Sequence, residues 1–133
     1  MKVVDASVVY KWYVPERETE KALDLLAEFR RAIEPLAAPD LILYELASAL
    51  RHNPRLKPED VESVLENFIS LQMQIVVPSL ASLRGAVRLA LRYNVTVYDA
   101  VYVTLAESLG CDFITADKKL QLKLSSLGFV HTI

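Results

Sequence analysis

The chain has 133 residues, with 15 lysines and arginines against 17 aspartates and glutamates, a net charge of -2 and a pI near 5.7. That is the size of one domain, able to bury a core without disulfides or a structural metal, and a hydrophobic content of 53 % excludes extensive disorder. No global positive charge draws the chain to nucleic acid, so a polyanionic partner must be held by local basic groups or by a bound cation.

No apolar run reaches the ~18–20 residues of a membrane span. The opening Met1-Lys2-Val3-Val4-Asp5 lacks the segments of a secretory leader. A cytoplasmic protein with no membrane partner is expected. Cys111 is the only cysteine, which excludes an internal disulfide and fits a reducing compartment; it is expected as a buried strand residue.

Lys2-Val3-Val4-Asp5 reads as a short buried strand that ends at Asp5. Ala6 to Val14 stays apolar and reads as a helix stopped by Pro15. Thr19 is expected to cap a second helix reaching about Ile33, with Ala22, Leu26, Phe29 and Ile33 on its apolar face. Leu36 to Pro39 is a second strand. Asp40 is placed to cap the helix from Leu41 to about His52. After Asn53-Pro54, Pro58 stands at a first helical position and Glu59 and Asp60 favour the first turn of a helix to about Leu71.

Gln74 to Val77 is a third strand. Ser79 opens a helix to Tyr93, which Asn94 can end in the left-handed conformation. Thr96 caps a helix stopped at Gly110, and Asp112 to Thr115 is a fourth strand. Asp117 opens a short helix ended by Gly128, and Phe129 to Thr132 is a fifth strand. Strands that are continuous apolar runs, alternating with helices, predict an α/β fold with a parallel sheet covered on both faces, as a single domain over 1–133. In such sheets the site lies beyond the carboxyl ends of the strands. If strands one and four are neighbours, Asp5 and Asp117 face each other.

Four carboxylates stand alone on apolar segments. Asp5 is the only charge from Val3 to Tyr10, Glu45 from Leu41 to Leu50, and Asp99 from Val95 to Ala106; Asp117 follows the run Phe113-Ile114-Thr115-Ala116. Each also has a plain structural reading. Asp5 and Asp117 suit helix N-caps. Glu45 could lie on a narrow solvated stripe, and Thr96 to Asp99 has the spacing of a capping box. A carboxylate can cap a helix and also ligate. Four acids in one pocket would repel and raise one another's pKa values, a penalty that a divalent cation removes. All-oxygen ligation suits Mg²⁺ or Mn²⁺, and no Cys/His set with zinc spacing is present. Ser7 and Thr115 are candidate hydroxyls behind the acids, and Lys118 is a candidate contact to substrate.

These residues resemble a family. Val3-Val4-Asp5-Ala6-Ser7-Val8-Val9 with Lys11-Trp12, then Tyr44-Glu45-Leu46-Ala47-Ser48-Ala49-Leu50, then Val97 to Ala106, then Phe113-Ile114-Thr115-Ala116-Asp117-Lys118-Lys119-Leu120, look in that order like the four motifs of PIN-domain proteins, and especially of VapC-type toxin ribonucleases. The resemblance runs from residue 2 to about 132. It implies a central parallel five-stranded sheet of order 3-2-1-4-5 flanked by helices. It implies metal ligation and catalysis by Asp5, Glu45, Asp99 and Asp117, with Mg²⁺ or Mn²⁺ as cofactor. It also implies an RNA substrate, a cognate antitoxin and a homodimer.

Three basic groups could meet RNA phosphates: Arg84, Arg88 and Arg92 on one helix, Arg51 to Lys57 after the Glu45 helix, and Lys118, Lys119 and Lys123 beside Asp117. Trp12, Tyr13 and Tyr98 are expected in the core rather than stacked on bases, and neither His52 nor His131 has the partners of a catalytic histidine. Two other readings stay open: a PIN-like RNA-binding or scaffold domain with weak or no activity, and a different α/β protein using Asp5 as a nucleophile. The second lacks the Asp expected two residues after Asp5 and the glycine patterns of phosphate-binding loops.

Overall fold

The computed structural model describes residues 1–133. Its elements in chain order are β1 (Lys2–Val4), α1 (Ala6–Tyr13), α2 (Thr19–Arg30), β2 (Leu36–Pro39), α3 (Leu41–Arg51), α4 (Pro58–Ser70), β3 (Gln74–Val76), α5 (Leu80–Tyr93), α6 (Val97–Leu109), β4 (Asp112–Thr115), α7 (Lys118–Lys123) and β5 (Val130–Thr132). The five strands form one sheet of order β3-β2-β1-β4-β5, parallel throughout.

The chain winds outward from β1 through β2 to β3, then returns to the other side of β1 for β4 and β5. The winding therefore reverses between β1 and β4, where Val4 pairs with Ile114. Beyond the pair, Asp5 N–H donates to Ile114 O at 3.3 Å. A crevice is forced at such a point, because the two connections leave in opposite directions.

The central strands are buried because helices cover them. Val3, Val4, Ala37, Ala38 and Phe113 have no exposed surface. Helix α6 lies on β1, β2 and β4, with α5 packed on α6, while α1 packs on α2 and α3. Alanines at Ala86, Ala90 and Ala100 form a separate buried cluster and let α5 and α6 approach closely.

Several local expectations are corrected. Thr19 is the first helical residue of α2, not its cap; Glu18 holds that place with φ of 61°, and the Thr19 hydroxyl accepts from Glu16 N–H. Helix α2 stops at Arg30 because Ala32 turns left-handed, with Ala32 N–H bonded to Phe29 O and Ile33 N–H to Glu28 O. Ile33 is thereby turned out to solvent rather than packed with Ala22 and Leu26. Asp40 makes no side-chain cap. Its backbone is already helical, and its N–H extends the ladder to Val76 O.

Strand β3 is an edge strand, and Gln74 and Ile75 are exposed. Cys111 is not a buried strand residue: it is half-buried in the turn before β4, where its N–H closes the α6 cap onto Ala106 O. Helix α7 ends at Lys123, well before Gly128. The caps at Ser79, Asn94, Thr96 and Gly110 are as expected.

Candidate active site

The site begins with the carboxyl end of β1. Asp5 leaves the strand extended and caps α1, accepting from Ser7 N–H at 3.0 Å and Val8 N–H at 3.3 Å. It is only 9 % exposed. The Ser7 hydroxyl donates to the same oxygen, Oδ1, and the Thr115 hydroxyl donates to Oδ2, each at 2.5 Å. Both hydroxyls also accept from the loop after β4: Ser7 Oγ from Ala116 N–H at 2.9 Å, Thr115 Oγ1 from Asp117 N–H at 3.0 Å. Ser7 and Thr115 thus tie the two chain reversals together around the Asp5 carboxylate, as candidate partners of the acids should.

Asp117 caps α7 through Oδ1, which accepts from Lys119 N–H and Leu120 N–H at 2.9 and 3.0 Å. Oδ2 takes neither bond. On α6, the Thr96 hydroxyl accepts from Asp99 N–H at 3.0 Å, so the cap fixes the turn that carries the Asp99 carboxyl. Glu45 comes from α3 and accepts at Oε1 from the Tyr102 hydroxyl at 2.6 Å.

These four carboxylates, brought by β1, α3, α6 and the β4–α7 turn, line one pocket of about 160 Å³ together with Ser7 and Tyr102. The capping readings hold for Asp5 and Asp117 without displacing them from the pocket. The solvated-stripe reading of Glu45 does not hold, since its carboxylate turns in toward Tyr102.

Burial dominates the electrostatics. It raises the Asp5 carboxyl from 3.8 to about 6 against the lowering effect of the two hydroxyls and the Val8 amide, with a small push from Glu45. Glu45 is raised by burial, offset by the Tyr102 hydroxyl and increased by Asp99. Asp99 is raised by burial, with the Thr96 hydroxyl and Lys123 opposing and Asp117 adding to it. Burial is the first cause in all three, and a neighbouring carboxylate pushes each in the same direction, so an entering cation would favour the ionised forms.

Tyr102 was missed from sequence. It is almost fully buried, stacked on Phe113 with ring centroids 5.8 Å apart, and its hydroxyl is pushed well above the usual tyrosine range by burial and by Glu45. The available signal was its place three residues after Asp99, on the same helical face, since a buried tyrosine hydroxyl needs a partner.

Lys118, the residue after Asp117, is 70 % exposed at the start of α7 and paired with Glu18 at 3.2 Å. Lys123 is the lysine that acts on Asp99, and it donates to Asn94 O at 2.9 Å. Tyr98 is 65 % exposed rather than in the core, while Trp12 is in it. His131 stands 3.4 Å from Asp112 on the neighbouring edge strand β5.

The sequence profile of the PIN domain matches residues 2–123. The chain is 36 % identical over 129 residues to Ribonuclease VapC3 of Pyrobaculum aerophilum, covering 94 % of this chain and 95 % of that one. Among solved structures, it is similar to PAE2754 from the same organism, with a TM-score of 0.71 and 25 % identity over 97 % of this chain and 81 % of that one. A toxin–antitoxin complex from Klebsiella pneumoniae shares the fold, with a TM-score of 0.72 and 16 % identity over 99 % and 97 %. The matching profile and the parallel sheet with its switch-point acids agree, and the chain belongs to the PIN domain family.

Proposed function

We propose that this protein is a metal-dependent endoribonuclease of the VapC toxin type, with Asp5, Glu45, Asp99 and Asp117 as its metal-holding and catalytic carboxylates. The observation that carries the reading is the convergence of these four acids, from four separate segments, on one pocket at the β1–β4 switch point. Such a cluster lowers the stability of the apo fold, and a divalent cation reverses that cost.

The donors fit such an ion. They are all oxygens, which favours Mg²⁺ or Mn²⁺ over zinc. No three of the acids stand close enough together to hold an ion jointly. Mg²⁺ does not need three, because it keeps several waters and takes one or two carboxylates directly. A cation held there supplies Lewis acidity toward water and toward phosphate oxygens. The chain's own residues do the rest. The Ser7 and Thr115 hydroxyls fix Asp5 in one orientation, and the Tyr102 hydroxyl fixes Glu45. Glu45 and Asp99, half-buried and raised by burial when no cation is present, would be held ionised by one, and as carboxylates would orient the attacking water.

RNA as substrate is supported by the names of the related ribonucleases. A cognate antitoxin is supported by the toxin–antitoxin complex of the same fold. A homodimer is supported by α5, which exposes Leu80, Leu83, Val87 and Leu91 along one side. A cytoplasmic location accompanies this reading, and no helix is long and apolar enough to cross a membrane.

The test is incubation of the purified protein with total cellular RNA in Mg²⁺ or Mn²⁺, with an EDTA arm and an Asp99→Asn arm. Cleavage that needs both the ion and Asp99 is the expected result. Cleavage that survives Asp99→Asn and EDTA would remove the acids from the mechanism, and absence of both cleavage and ion binding would return them to capping roles.

A further inference from the structure

The acid pocket is half of a larger groove. A second pocket of about 400 Å³ shares Ala6, Ser7, Glu45 and Asp117 with it and continues over Tyr10, Lys11, Glu16 and Ala49. Lys11 is the only cation lining either half. It is also unusually placed for a lysine, with its side chain 9 % exposed. Its ammonium donates to Glu16 Oε1 at 2.8 Å and to Arg17 O at 2.7 Å. An ammonium has three N–H donors, so one remains. Beside it, the Tyr10 hydroxyl accepts from Asn53 Nδ2 at 3.0 Å, which leaves its own O–H to donate.

We propose that the compartment formed by Tyr10, Lys11, Glu16 and Ala49 seats the RNA phosphate next to the scissile one, with the Lys11 ammonium as its cation and the Tyr10 hydroxyl as a second donor.

This rests on the ribonuclease reading and adds a subsite to it. A polyanion entering a groove lined by Glu16, Glu45, Asp5, Asp99 and Asp117 is repelled, and an ion at the acids answers only one phosphate. The neighbouring phosphate needs its own counter-charge. Lys11 already stands there, largely stripped of water, so contact with a phosphate costs little further desolvation. Glu16 holds the ammonium in position and also competes with the phosphate for it. The small side chain of Ala49, one turn after Glu45 on α3, leaves the compartment open.

The probe is a fluorescent random-sequence single-stranded RNA of about twelve nucleotides, since phosphate contacts carry no sequence information. Binding is followed by anisotropy on an Asp99→Asn background, so that the probe stays intact. Lys11→Met is expected to weaken binding about tenfold and to reduce the slope of log K against log salt by about 0.7, the value of one single-strand phosphate contact. Lys11→Arg keeps the slope. Glu16→Gln, which frees the ammonium, tightens binding severalfold, and Ala49→Leu, which fills the compartment without changing charge, weakens it.

Lys11→Met with unchanged affinity and unchanged slope overturns the proposal whatever its Tm, because a lysine that only ties the α1–α2 connection moves Tm alone. If Lys11→Met is unfolded at the assay temperature, Glu16→Gln decides: unchanged or weaker binding overturns the subsite. A parent protein with no salt-dependent affinity for the probe sinks the RNA reading itself, which is a different result from binding that the Lys11 and Glu16 variants leave alone.

Discussion

Asp5 is held by four donors, Ser7 N–H, Ser7 Oγ–H, Val8 N–H and Thr115 Oγ–H, and still titrates high. Each donor favours the ionised form, so burial must outweigh all of them. Linkage gives the sign. The native carboxyl titrates at about 6 and the unfolded one at 3.8, so between these values the native state binds more protons. Asp5 therefore stabilises the metal-free fold most below pH 3.8 and loses that contribution as pH rises through about 6. The loss is on the order of 3 kcal/mol.

Asn keeps the cap and removes the charge, at the cost of one hydroxyl bond. Asp5→Asn in EDTA should accordingly be more stable than the parent at pH 7.5, by roughly 1 kcal/mol or more. The advantage should vanish at pH 4.5. Urea melts at the two pH values check this, and a variant weaker at both would show that the four bonds outweigh the burial of charge.

Tyr102→Phe is a narrower cut at the same scale. It keeps the stacking on Phe113 and removes the bond to Glu45. A cost of about 1 kcal/mol is expected, together with a higher Mg²⁺ requirement for cleavage, because Glu45 loses the donor that orients it. Cleavage assayed across a Mg²⁺ series, at a temperature where the variant is fully folded without the ion, separates this from simple destabilisation.

At the scale of elements, Ser7 on α1 and Thr115 on β4 form a clasp that closes the switch point. Thr115 is fully buried, donates to Asp5 and accepts from Asp117 N–H. Thr115→Val fills the space and leaves both partners short of a bond, so a loss of about 2–4 kcal/mol is expected in denaturant melts. Thr115→Ser, which keeps the hydroxyl, should recover most of it. Equal losses for the two would mean that the methyl group, not the clasp, matters.

The same clasp shows what could be read from sequence. Asp5, Ser7, Thr115 and Asp117 lie at strand ends, where the alternation of strands and helices already points to the site, and strand period puts Thr115 and Asp117 on one side. The strand order came from resemblance to a known family, since alternation alone does not say which side of β1 receives β4. What the residues could not show was pairing across the sheet. Tyr102 with Glu45 spans 57 positions, and the pairing of Lys118 with Glu18 joins the start of α7 to the start of α2. Asp40 makes no cap because its backbone is already helical, whereas a capping residue is extended.

For the whole molecule, these local charges sum to a fold that is complete but strained at one end. Val3, Val4, Ala37 and Phe113 are sealed beneath the helices while the carboxyls of Asp5, Glu45 and Asp99, beyond the end of β1, on α3 and on α6, stay raised. A cation that binds only the native state stabilises it by about 2.7 kcal/mol at one hundred times its Kd. Mg²⁺ should therefore raise Tm, and the rise should be larger at pH 8 than at pH 6, because binding must displace the proton that Asp5, raised to about 6, partly retains at the lower pH. Asp99→Asn should lose most of the rise at both pH values while its melt in EDTA stays at or above that of the parent. Thermal melts over a Mg²⁺ series at the two pH values give the answer. A stabilisation independent of pH and of Asp99 would place the ion elsewhere on the surface, for the acids cannot bind it without giving up their protons.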